Sequence, residues 1–170
     1  MANVDSPRGF YPLYHKCGGQ IQASKYILTT GSTAYQGDLM TAQNAGTVTP
    51  STANDGVVVI GVAAEYVCDA LSAGGKEILV YDDPMIVFGV QADSGTAVAA
   101  TDVFETANHV AGAGSATTYQ SGHELDSSDI ATGQQLRILG KIDVPGNAWG
   151  EHVDLEVMIV EHALKDTASI

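Results

Sequence analysis

The sequence predicts a mainly β protein: a single compact β-sandwich or small β-barrel domain with an extended N-terminal arm. Three observations lead there. Short runs rich in Val, Ile and aromatic residues recur along the 170 residues, separated by turns that contain Gly, Asp or Pro. The last third alternates apolar and polar residues with a period of two, as strands do. No amphipathic stretch exceeds about two helical turns.

Residues 1–15, MANVDSPRGFYPLYH, read as the arm. Two prolines interrupt any helix there. Phe10, Tyr11, Leu13 and Tyr14 supply large side chains that suit a contact with the chain's own body or with a neighbour. The domain proper is expected over residues 16–170. Within it, residues 25–30 read as a strand closed by Gly31-Ser32, and residues 37–40 open another short one. NAGTVTPSTANDG, residues 44–56, is loop by composition. VVVIGVAA, residues 57–64, is a near-continuous apolar run. Residues 77–81 and 85–91 are two further strands around Asp82-Asp83-Pro84. Short helical pieces are expected near residues 101–109 and 127–132. Residues 111–134, polar and rich in Gly, Ser and Thr, read as a long surface loop, a feature that often marks binding.

LRILGKIDV and VDLEVMIVE each carry one apolar face, and PGNAWGEH between them suits a hairpin loop. In one register Lys141 stands opposite Glu156, a cross-strand pair worth about 0.2–1 kcal/mol. Trp149, at the tip of that hairpin, is a candidate interface anchor or a ring folded onto its own sheet.

Composition narrows the function. Charged residues make up only 16%, with 20 acidic against 7 basic side chains and a net charge of −13. Direct binding of nucleic acid is disfavoured, because phosphates would be repelled. Anionic membrane surfaces are disfavoured for the same reason. The acidic exterior favours solubility and can steer the chain toward a basic protein surface. Two cysteines, Cys17 and Cys68, are too few for a disulfide framework and have no zinc-site spacing, so they read as free thiols from a reducing compartment. The N-terminus lacks the apolar core of a signal peptide, and no run is long enough to span a bilayer.

Motifs for catalysis do not assemble. Asp82 and Asp83 alternate to opposite faces if extended, so they read as a solvated turn before a buried strand; a calcium site with Asp93 is the alternative. His123, Glu124, Asp126 and Asp129 crowd one segment, which reads as a hydrated acidic loop or an oxygen-rich cation site. Glu151-His152 and Glu161-His162 stand about 33 Å apart if the chain between them is extended. His15 and Cys17 could share a side, yet a Cys–His pair needs an orienting third group. No nucleophile elbow, phosphate loop or HExxH motif occurs. No cofactor, metal or catalytic residue is expected.

Two blocks carry a family resemblance. MANVDSPRGFYPLYH with the following Gly-Gly pair, and IGVAAEYV continuing to LVYDDPMIVFGVQAD, resemble the head decoration, or cement, proteins of tailed phages, the marine-phage type above all. The likeness is densest over residues 1–15 and 58–95 and does not reach residues 111–134. It implies a small β-rich virion protein, made in the host cytoplasm and bound to the outer surface of an icosahedral capsid. It implies the major capsid protein as partner, a homo-oligomer (a trimer above all), and no catalysis. On that reading Phe10, Tyr11, Leu13, Tyr14 and Trp149 are the candidate interface residues. A different β-rich phage structural module, or a receptor- or carbohydrate-binding module, is the alternative.

Overall fold

A computed structural model describes residues 3–53, 57–69 and 75–165. Thirteen strands are present among them: β1 (Tyr11–His15), β2 (Ser24–Ile27), β3 (Thr33–Ala34), β4 (Leu39–Ala42), β5 (Val48–Pro50), β6 (Val59–Ala63), β7 (Val67–Cys68), β8 (Glu77–Tyr81), β9 (Ile86–Gln91), β10 (Thr106–Gly112), β11 (Gly122–Ala131), β12 (Leu136–Lys141) and β13 (Asp154–Ile159). They form three antiparallel sheets: a six-stranded one ordered β1-β9-β13-β12-β10-β11, a five-stranded one ordered β2-β8-β6-β4-β5, and the pair β3-β7. Among the described residues no closed barrel forms.

The five-stranded sheet lies between two apolar layers. Leu39, Val59 and Val62 join the core shared with the six-stranded sheet, which holds Phe88, Val90, Leu136, Leu155 and Val157. Met40, Ile60, Ala63, Ile78 and Val80 form a second core with Leu28, Ala34 and Val48. A bulge in the β4–β6 pairing puts Val59 and Val62 on one face and Ile60 and Ala63 on the other. Burial on both faces explains the near-continuous apolar run over residues 57–64. Every residue of β9 is buried too. One of its faces enters the first core, and β1 pairs along its edge.

The structure corrects several expectations. Residues 111–134 are loop only in part: β10 and β11 pair as a long hairpin around residues 113–121, and β11 takes in residues 127–131 of the expected helical piece. Inward side chains of β11 include His123 and Ser127, which are buried with polar partners, so the apolar alternation that marks a strand is broken. The helix expected near 101–109 shrinks to a single 3-10 turn at Ala100–Asp102, and β10 begins four residues later. Residues 44–56 contain β5, held by pairing to β4. Lys141 also misses Glu156. The register ahead of the bulge at Ile138–Gly140 would set Lys141 opposite Asp154; the bulge moves the ladder by one, so Gly140 faces Glu156 and Lys141 faces Leu155.

Candidate interaction surface

The arm is partly built into the domain. Phe10 is only 2% exposed and belongs to the first core, so it is not an interface anchor. It enters the core because Gly9, at φ 71°, turns the chain against Gly37, whose carbonyl accepts the Phe10 N–H at 2.9 Å. From there β1 runs as the edge strand beside β9, with a bulge at Leu13.

Tyr11 and Tyr14 lie outside that core. Tyr11, Gly89, Glu156 and Gly140 line up in one row across β1, β9, β13 and β12. The Tyr11 ring fills the space that a side chain at Gly89 would take. Arg8 donates to Tyr11 Oη at 3.0 Å, stacks 4.7 Å from its ring, and reaches Asp154 at 3.4 Å. Burial raises the Tyr11 pKa, against the pull of Arg8. Tyr14 donates to Glu156 Oε2 at 2.8 Å, which raises its pKa, yet 41% of the residue remains exposed. Leu13 is half-buried. Trp149 is 37% exposed and lines a cleft of about 290 Å³ with Asn3, Gly150 and His152. Tyr14 and Trp149 are therefore the two expected anchors most open to a partner.

Residues 3–6 lie back on the chain's own β12–β13 loop. Asn3 Nδ2 donates to the carbonyls of Ala148 and Glu151, both at 2.8 Å, and Asn3 Oδ1 accepts the Ala148 N–H. Gln91 completes the clamp: its Oε1 accepts the Ser6 N–H, and its Nε2 donates to the carbonyls of Val4 and His152.

A second aromatic patch is absent from the sequence reading. Tyr35, Tyr66 and Tyr119 stack in a row, with ring centroids 5.3 and 4.6 Å apart. Tyr119 is half exposed and has φ 58°. Its carbonyl accepts the Gln36 N–H, which pins residues 119–121 beside Tyr35. Gly114 leaves the space that the Tyr35 ring occupies.

The acidic residues divide among separate partners. Asp82 accepts from Ser24 Oγ at 2.9 Å and Tyr26 Oη at 2.7 Å. Asp83 accepts the Met85 N–H and faces His15 Nε2 at 3.0 Å; the backbone contact and His15 lower its pKa. Asp93 accepts from the N–H groups of Gly95 and Ser127 and from Ser127 Oγ. The DDP turn thus fastens β2 and the end of β1 to the core strand β9. His15 Nδ1 accepts the backbone N–H groups of Cys17 and Gly19, so the ring organises a turn. Cys17 and Cys68 are free thiols. On β11, His123 is buried inward while Asp126 accepts from Ser128 and Asp129 accepts from Asn108 and Gln134. Among the described residues no helix is long and apolar enough to cross a membrane.

No protein-family model matches the chain, and no curated protein matches it in sequence.

Proposed function

We propose that this chain is a virion structural protein. It binds the outer surface of an icosahedral phage capsid as a homo-oligomer, a trimer above all, and braces contacts between major capsid subunits. The observation that carries this reading is the pairing of the two blocks that resemble decoration proteins. β1, from the first block, lies along β9, from the second, and the DDP turn ties them together through His15 and Asp83. Cementing requires shape and symmetry, with no activated group. Many copies that each touch two subunits make modest individual contacts sufficient. The net charge of −13 suits docking onto a basic shell surface.

Exposed tyrosines and Trp149 supply the contact chemistry, since aromatic side chains are enriched at such interfaces. The test is co-sedimentation with expanded empty shells of the phage that encodes the chain. Saturable pelleting is expected, weakened by Tyr14→Ala or Trp149→Ala while the variants remain folded. Absence of pelleting overturns the reading.

The row formed by Tyr35, Tyr66 and Tyr119 favours a second reading, a receptor- or carbohydrate-binding module. Glycan binding without shell binding, abolished by Tyr119→Ala, would select it.

A further inference from the structure

Asp5, Glu124 and His152 come from three distant parts of the chain and meet at one point. One ligand atom from each lies within 4.8 Å of the others, the only such group of three among the described residues. The donor set is mixed, two carboxylates and an imidazole, which sets it apart from an acidic patch. Glu124 Oε1 and His152 Nδ1 are both shut off from solvent, and neither has a hydrogen-bond partner. A buried polar atom left unpartnered costs about 1–3 kcal/mol. Two such atoms in one small group call for a shared partner. Asp5 Oδ1 stands 3.9 Å from His152 Nδ1, too far for a hydrogen bond. Two metal–ligand bonds of about 2.0–2.2 Å at the tetrahedral angle span about 3.3–3.6 Å, so the gap needs to close by only a few tenths of an ångström.

We propose that Asp5, Glu124 and His152 bind one divalent transition cation of the zinc class, which latches the N-terminal segment to β11 and to the β12–β13 loop. The imidazole argues against Mg²⁺ and Ca²⁺, which prefer all-oxygen sites. Three protein ligands leave a fourth position for water. His152 is held in place by its backbone, whose carbonyl accepts from Gln91. The Asp5 side chain is 64% exposed and is free to close the last few tenths of an ångström onto an ion. Two surface clefts, of about 310 and 290 Å³, both reach Asn3 and His152. Burial and the nearby charges of Asp5 and Asp93 raise the Glu124 pKa, with His152 opposing them, and a bound cation would relieve that repulsion.

The experiment uses the isolated full chain after chelator treatment, so its failure leaves the capsid reading untouched. Zn²⁺ is titrated by calorimetry, with Mg²⁺ as the second arm, and Co²⁺ absorption reports the ligand type. One Zn²⁺ per chain is expected, with at least tenfold weaker binding in Glu124→Gln and in His152→Gln. Mg²⁺ should give no heat, and the Co²⁺ spectrum should lack a thiolate band. Asp5→Asn, at an exposed position, supplies the same readout if a buried variant fails to fold. Absence of Zn²⁺ binding, unchanged affinity in the variants, or a thiolate band would each overturn the proposal; unchanged affinity would mean the ion sits elsewhere.

Discussion

Asp38 and His123 face each other between the two large sheets, with imidazole Nε2 3.6 Å from carboxylate Oδ1 and both side chains buried. Asp38 immediately precedes β4 in the five-stranded sheet, and His123 belongs to β11 in the other. His123 Nδ1 accepts the Leu39 N–H, which leaves the ring proton on Nε2, toward Asp38. His109 lies beside it, with ring centroids 5.2 Å apart, and its Nδ1 is 2.7 Å from Gln135 Oε1. The contact belongs to a buried polar cluster between the sheets.

Burial of the histidines makes the fold sensitive to acid. Burial lowers the pKa of His123 to about 3, with the neighbouring His109 adding to the effect. Burial also lowers the pKa values of His109 and His162. The unfolded chain therefore takes up protons near pH 6.5 that the folded chain refuses. Stability is full above that pH and falls as pH drops toward the folded values. The slope is about 1.4 kcal/mol per pH unit for each histidine that protonates only on unfolding. Asp38 has the opposite sign: burial raises its pKa, so the folded state holds its proton more readily and part of the loss is offset at the acid end. Thermal melts from pH 7.5 to 4.5 should show a falling Tm, and His123→Gln should flatten the slope whatever it does to Tm at pH 7.5.

Gly89 is required by Tyr11. A methyl group at residue 89 would strike the Tyr11 ring. Gly89→Ala should cost about 1–3 kcal/mol, the usual range for overpacking. In the Tyr11→Ala background the same change should cost much less. Urea unfolding of the four proteins in this cycle measures the coupling, and additivity would contradict the contact.

Phe10 and Tyr14 should separate stability from binding. Phe10→Ala empties a core site and should cost about 3–5 kcal/mol in the isolated chain. Tyr14→Ala loses one half-exposed hydrogen bond, worth about 0.5–1.5 kcal/mol. Denaturant unfolding checks both, and a neutral Phe10→Ala would contradict the core assignment.

Legibility in the sequence followed the source of each element's stability. β6 and β9 were readable because burial on both faces demands unbroken apolar runs, and β13 because Leu155 and Val157 alternate with Asp154 and Glu156. β11 was hidden because hydrogen bonds satisfy its inward side: His123 to Leu39, and Ser127 to Asp93. Polar groups with remote partners look like loop until the partners are known. Lys141 stands one residue from the expected partner, and apolar alternation along two strands does not fix the register once a bulge interrupts the ladder. For the surface, Tyr11, Tyr14 and Trp149 stood out through local crowding or a turn. The Tyr35, Tyr66 and Tyr119 row and the Asp5, Glu124 and His152 group are assembled from distant segments, and no spacing along the chain foretells either.

The most direct measurement is a cryo-electron density map of the mature particle of the phage that encodes this chain. The account predicts this three-sheet domain on the outer shell surface, repeated around local three-fold positions, with Tyr14 or Trp149 against a major capsid subunit. A fully occupied shell map without such density, in particles that lack the polypeptide, would contradict it.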